Sequence, residues 1–361
     1  MLTVDSMITV SSLSVEHETE YSQLLLRDTR SLIYASIEFR NFLLEAIGGE
    51  ASYLVAHDHS GQIIGGLPLF RLTTPEFGSV INSLPWYGSH GGVFVAAGAP
   101  DDVRHALLVK YKSIIYEPDI LTATLIQSPF EEMETKSYCG KLLNTVLDHR
   151  TGQITKLPVS SATVEADLEQ ILAQKTRNLV RKSRKQGFQL RRESNDDAWE
   201  FLYTVHHENM LAIGGKAKPR EHFEALRRCL PKEWRQISIA YLNNEPVAAL
   251  LLLYYNKTIE YFTPVIRQQF RSLQPLSFLI WHSMLDAIEK GFVWWNWGGT
   301  WASQKTLHHF KAGWGATDYP YSYLIHASPL GIDVLHSKKM AVANAFPYYY
   351  VFPFDQLSNN D

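Results

Sequence analysis

The residues best suited to chemistry gather late in the chain. The aromatic run Phe292–Trp297 closes on Gly298-Gly299, and Phe310-Lys311 follows a short way on. Neither glycine has a Cβ, so a ligand or a second stretch of backbone can come close to them. The plainer reading is a turn that starts the next helix. The Lys311 ammonium can stabilise a developing oxyanion or hold a carbonyl without acting as a base. It can equally lay its stem along a helix surface. Glu260, Tyr261, His282 and His308 lie near these residues in sequence, and any of them, tuned near neutral pH, can serve as a general base. Lys311 and Tyr261 are the catalytic candidates, with Trp297, Gly298 and Gly299 as candidates for substrate binding. Asn296 cannot take up a proton as a carboxylate does, so its role is orienting or structural. Arg271 can meet a phosphate or carboxylate, or remain a solvated surface arginine.

These groups need a sheet to hold them. Gln236–Leu242, Pro246–Tyr255 and Thr258–Val265 read as strands, and the turn formers Asn243-Asn244-Glu245-Pro246 fit a tight hairpin. Val247 to Tyr255 is almost wholly apolar, as a strand covered on both faces should be. Pro275–Lys290 is a helix with apolar residues near the 3.6-residue period, and Gly291 stands at its C′ position. Phe292–Trp297 follows as a strand, which would divide its tryptophans between two faces. A last helix ends near Lys311.

Earlier in the chain, Ser31–Ile47 has helical spacing and Gly48-Gly49 stops it. Ser52–His57 and Gln62–Arg71 read as strands, Asp101–Tyr116 as a helix and Ile120–Gln127 as a strand. Helix, paired strands, helix and strand thus occur in roughly the order found later, which fits a diverged internal duplication. Between the two stretches, Glu165, Asp167 and Glu169 precede Arg181, Lys182, Arg184 and Lys185. That order complements a helix dipole, and Gly187 ends the segment. Helices over Asp196–Leu211 and Pro219–Cys229 come before the later strands.

This arrangement resembles the acyl-CoA N-acyltransferase (GNAT) fold, and more narrowly its FemAB-like branch. The resemblance rests on Glu245-Pro246-Val247-Ala248-Ala249, on Gly291-Phe292 leading to Trp297-Gly298-Gly299, on Phe310-Lys311-Ala312-Gly313 with Gly315, and on Lys175–Gly187. It implies an α/β (α+β) protein of two tandem GNAT-like units. Each would be a mixed, mostly antiparallel sheet flanked by helices, with splayed central strands. The splay, between the strand near Tyr261–Val265 and Phe292–Trp297, would free backbone groups to bind a donor and to steady the oxyanion formed when an amine attacks a thioester or ester. In aminoacyl-transferring relatives a lysine of the Phe-Lys motif is implicated at the reaction centre, which points to Lys311.

Ordinary members cradle the donor pyrophosphate in a glycine-rich loop at a helix N-terminus. Here the corresponding segment, Arg267–Pro275, lacks both glycines, which leaves acyl-CoA and aminoacyl-tRNA open as donors. Leu84-Pro85-Trp86 and Gly91-Gly92 match a step of the family's first unit, and Tyr87, Ser89 and His90 between them are candidates for acceptor contact. Arg177 and Arg181 suit an anionic acceptor, the acceptor-stem backbone of tRNA, or no more than a solvated helix face.

Composition narrows the rest. The chain has 361 residues and a formal charge of −3, which gives no general case for nucleic acid and none for DNA. Its two cysteines, Cys139 and Cys229, read as free thiols, and no metal is expected. No signal peptide or membrane-spanning run is evident, so a cytoplasmic, at most membrane-peripheral, protein is expected. The expected division is 1–160 as the first unit, 161–187 as a basic linker helix and 188–327 as the second unit. Residues 328–361 would complete the first. The expected function is N-acyl transfer of an activated acyl or aminoacyl group to an amine on a cell-wall or polysaccharide precursor, the acceptor being a small molecule or a lipid- or nucleotide-linked sugar. Acyl-CoA-dependent N-acetyl transfer to a small amine and a non-catalytic GNAT-like binding module are the alternatives.

Overall fold

A computed structural model describes residues 8–84, 90–130, 138, 145–301 and 303–357. The chain divides into two units, 1–150 with 320–361, and 151–319.

In the first unit the elements run β1 (Thr9–Ser12), α1 (Glu18–Arg27), α2 (Ile37–Ile47), β2 (Glu50–Ala51), β3 (Leu54–His57), β4 (Ile63–Leu67), β5 (Phe70–Thr74), β6 (Gly78–Asn82), β7 (Phe94–Val95), α3 (Asp102–Ile115) and β8 (Ile120–Ile126). Strands β1, β3, β4 and β7 form one antiparallel sheet. In the other sheet β2, β5 and β6 are antiparallel neighbours, and β6 runs parallel to β8 as far as Asn82 opposite Thr124. The expected strand Gln62–Arg71 is therefore two strands in two sheets. Pro68 lies between them, and a residue without an N–H cannot carry a ladder onward.

Strand β9 (Thr145–Lys156) gives residues 151–156 to the second unit. There follow α4 (Val164–Ile171), α5 (Gln174–Arg184), β10 (Gln189–Glu193), α6 (Asp196–Ala212), α7 (Arg220–Cys229), β11 (Arg235–Leu242), β12 (Glu245–Tyr255), β13 (Thr258–Ile266), α8 (Pro275–Glu289), β14 (Trp294–Thr300) and α9 (Lys305–Gly313). From β15 (Thr317–Ala327), residues 323–327 pair antiparallel with β8 of the first unit, and α10 (Pro329–Ala345) follows. Beyond it the Asn82 side chain treats Tyr350 as a strand partner: Nδ2 donates to Tyr350 O at 2.8 Å and Oδ1 accepts from Tyr350 N at 3.0 Å.

The second unit is a mixed sheet in which β10 to β13 are successive antiparallel neighbours and β13 runs parallel to β14. Asn243 and Asn244 both take positive φ, 51° and 64°, the left-handed pair that a two-residue hairpin needs. Strand β12 is buried throughout Val247–Tyr255, and its side chains meet Leu279, Ile280, Trp281, Met284 and Ile288 of α8 in one core. Cutting such a leucine back to alanine costs about 2–5 kcal/mol. Pro275 opens α8 from a left-handed Gln274, and Gly291 ends it at φ 77°.

Two expectations are corrected here. The segment 161–187 is two helices rather than one, because Leu172 and Ala173 are extended. The break is held from outside: Ala173 N donates to Gly313 O at 2.9 Å. Second, β14 runs past the expected end at Trp297 to Thr300, so Gly298-Gly299 lies within the strand and the alternative of a turn opening the next helix falls away. Gly299 stands opposite Gly152 and Thr300 opposite Thr151 in β9, after a register shift that begins at Asn296.

Candidate active site

Strands β13 and β14 stay together for three rungs, Thr258 with Trp294, Ile259 with Trp295 and Glu260 with Asn296, and no further pair is formed. Beyond that rung β13 pairs with β12 and β14 with β9, and side chains take part of the inner edges: Asn209 bonds both Ile266 N and Ile266 O, Asn296 bonds Gly298 N, and Lys311 bonds Gly298 O and Gly299 O. Such a fork leaves main-chain donors and acceptors available to a ligand. Just past it, the β12–β13 register skips Phe262, a bulge of the kind that re-aims side chains beside sites.

The two faces of the fork differ. Ile259, Tyr261, Trp295 and Trp297 belong to the α8 core. The Tyr261 ring lies 4.9 Å from that of Trp297, which in turn stacks near Trp295 (5.7 Å), Phe310 (5.9 Å) and Trp314 (6.2 Å). Trp297 Nε1 donates to Thr155 Oγ1 at 2.9 Å, so this floor is fixed by polar as well as apolar contacts. Burial raises the Tyr261 phenol above its ordinary range, which makes it a proton holder and not a base at neutral pH.

Alternation along the strands sends Glu260, Thr263 and Asn296 to the opposite face, where α6 packs. Glu260 and Asn296 are 2% and 0% exposed. Asn296 Oδ1 accepts from Gly298 N at 2.9 Å, and its Nδ2 has no hydrogen-bond partner among the described residues. A buried amide donor aimed at no protein acceptor is a place for a ligand or a water.

Lys311, 4% exposed on α9, is the brace of the glycine pair. Its Nζ donates to Gly298 O (3.2 Å), Gly299 O (3.1 Å) and Thr300 Oγ1 (2.7 Å), which accounts for all three ammonium protons. Thr300 Oγ1 passes the chain on to Gln153 Oε1 at 2.8 Å, and Gln153 Nε2 reaches His308 O at 3.1 Å. Burial lowers the Lys311 pKa to about 8. Gly298, at φ 74°, takes a backbone conformation that other residues adopt at a cost of about 1–2 kcal/mol.

Residues 172–319 match the model of the acetyltransferase (GNAT) domain. The chain carries a GNAT acyltransferase domain.

The solved structures agree on the fold. FemX superposes with a TM-score of 0.67 at 12% identity, covering 87% of this chain and 96% of its own. A tandem GNAT protein from the clavulanic acid biosynthesis pathway gives 0.52 at 11% identity, covering 89% and 98%. The C-terminal domain of a protein named as a lysylphosphatidylglycerol synthetase, from Agrobacterium fabrum, gives 0.51 at 12% identity, covering 91% and 96%. No curated protein matches the chain.

Around the GNAT fork the other candidate residues are distributed unevenly. Arg271 is exposed on a 3₁₀ turn, Gln268–Leu273, that leads into α8. Arg177 spends its guanidinium on the end of α4, donating to Leu172 O at 2.6 Å and Glu169 O at 3.4 Å, and to Gln174 Oε1 at 2.5 Å. Arg181 pairs with Glu169 at 2.8 Å, and Arg184 with Glu165 at 3.3 Å. The basic helix is thus laced to the acidic one before it. His282 stacks on Phe278 within α8, and burial and the Arg184 charge lower its pKa. His308 is tied to Asp318 at 2.8 Å. His90 belongs to the first unit, 2% exposed between the rings of Tyr34 and Tyr321. It lines a cavity of about 270 Å³ together with Arg30 and Arg104. Tyr87 and Ser89 lie outside the described residues, as does Cys139.

One group at the fork escaped the sequence reading. Lys218, in the loop between α6 and α7, sets its Nζ 3.0 Å from Thr263 Oγ1 and 4.2 Å from the centre of the Phe262 ring. Its own N–H donates to His206 Nε2 at 3.0 Å. The sequence signal was slight, a glycine pair followed by two lysines in Gly214-Gly215-Lys216-Ala217-Lys218.

His206 gives a pH prediction. Burial first, then the Lys218 and His207 charges, lower its pKa from 6.5 to about 4. Between those values the unfolded chain binds a proton that the folded one refuses, so stability is complete above pH 6.5 and falls as pH drops toward 4. Thermal melts should lose up to about 3 kcal/mol from this group across the window. His206→Asn should flatten that part of the curve, and an unchanged curve would reject the assignment.

Proposed function

We propose that the fork transfers an activated acyl or aminoacyl group to an amine on a cell-wall or polysaccharide precursor. The observation that carries the reading is the parting of β13 and β14 after Glu260 and Asn296, with two buried polar side chains at the crotch. The donor carbonyl lies between the strands. Glu260 takes the proton of the attacking amine as general base, and Asn296 Nδ2 orients the acceptor. Tyr261, a neutral phenol, offers a hydrogen bond to the leaving group. Lys311 acts through Gly298 and Gly299, keeping the end of β14 turned away from β13.

The acceptor class is supported by fold likeness: FemX and the lysylphosphatidylglycerol synthetase domain share this architecture. On the donor side, the N-terminus of α8 offers main-chain amides to an anion. Arg271 on the turn before it adds a charge. Arg177 and Arg181 contribute only through the α4–α5 pair.

Single-turnover reactions with radiolabelled acetyl-CoA and alanyl-tRNA test the proposal. Label should pass to an amine acceptor from one of the two donors. Salt sensitivity separates them, since an RNA donor held by phosphate contacts should bind far more weakly at high salt. Absence of transfer from both would end the reading.

A further inference from the structure

Two ammonium groups flank the opening between β13 and β14, the buried Lys311 and the partly buried Lys218, and they are engaged differently. Lys311 has its three protons on the diglycine and Thr300. Lys218 approaches the other strand. Its Nζ sits on Thr263 and over Phe262, and both residues belong to the stretch of β13 that has already left β14. Thr263 shares a face with Glu260 and Asn296 by strand alternation across the Phe262 bulge.

We propose that Lys218 is a catalytic residue whose ammonium meets the carbonyl oxygen of the acyl group in transit. The inference rests on the acyl-transfer reading above and names the cation that serves it. When the acceptor nitrogen attacks, the new C–N bond forms and the carbonyl π pair moves onto oxygen. The Lys218 charge then lies beside that oxyanion. Collapse restores the carbonyl, breaks the bond to the leaving sulfur or oxygen, and returns to the leaving group the proton that Glu260 took from the amine. Atoms and charge balance without a further reactant.

The surroundings suit this work. The Phe262 ring, 4.2 Å from the ammonium, steadies the cation, and a partly buried charge acts more strongly than one in solvent. The residue is fixed at both ends, by Lys218 N on His206 Nε2 (3.0 Å) and by Nζ on Thr263 (3.0 Å). Burial brings its pKa down to about 8, which still leaves most of the population charged at neutral pH.

The test uses the full chain with acetyl-CoA and with alanyl-tRNA as donors and glycinamide as acceptor, following release of CoA or deacylated tRNA. Lys218→Met keeps the length of the side chain and removes the charge, and should lower kcat by ~10²-fold with little change in donor KM. Lys218→Arg keeps the charge and should retain activity within about tenfold of wild type on the same electrostatic argument. A Met variant as fast as wild type overturns the inference, as does an Arg variant no better than Met. Should Met at this position unfold the chain, the Arg variant decides alone. A wild-type chain inert toward both donors is a different result: it overturns the acyl-transfer reading, and the role of Lys218 falls with it.

Discussion

Glu260→Gln should lower turnover by ~10³-fold, near the middle of the range that a positioned general base contributes. The substitution keeps the shape and the hydrogen-bonding reach of the side chain and removes only its capacity to accept a proton. Glu260 stands at the last rung of the parallel ladder, opposite Asn296 and 2% exposed. Donor KM should change little, because the base acts on the acceptor nitrogen and not on the donor. Steady-state kinetics at saturating acceptor give the answer. Turnover within tenfold of wild type would hand the proton to water and leave Glu260 a structural acid.

Lys311→Ala comes next, with an expected loss of ~10²-fold or more in kcat. Its cause differs from that of Glu260. The three bonds from Nζ fix both glycine carbonyls and the Thr300 hydroxyl. Without them the end of β14 is free to swing, and each buried acceptor left unpaired costs about 1–3 kcal/mol. A loss of rate should therefore come with a lower melting temperature. Thr300→Val removes one of the three acceptors and spares the glycine bonds, so it should give a partial effect on both quantities. Full activity in Lys311→Ala would remove the brace from the mechanism, whatever the melt shows.

Where local chemistry decided the structure, the sequence was readable. Asn243-Asn244 carries the positive-φ preference of a tight hairpin in its own side chains. Pro275 and Gly291 bracket α8 for equally local reasons. The apolar run of β12 announced a strand covered on both faces, and the mixed sheet with parted strands was implied by the resemblance to the GNAT fold. What stayed hidden was set by contacts distant in sequence. Leu172 and Ala173 contain no helix breaker, and the break is made by Gly313 through a carbonyl. Arg177 looked like a ligand for anions because its partners are the backbone oxygens of a helix end, which no residue type announces. Lys218 was one lysine among several in a polar loop until the fold laid it across Phe262. The diglycine illustrates both halves: its freedom is legible in the residue type, its place inside a strand only in the pairing with β9.

That pairing bears on how the molecule can be cut. The GNAT match starts at residue 172, which invites excision of a minimal catalytic fragment from there onward. Such a piece would leave behind Gly152, Gln153 and Thr155, which face Gly299, anchor Thr300 and hold the Trp297 indole. The outer margin of β14 would then be a raw hydrogen-bonding edge, prone to seek a neighbour in another molecule. A fragment meant to keep the fork must reach back past Thr151.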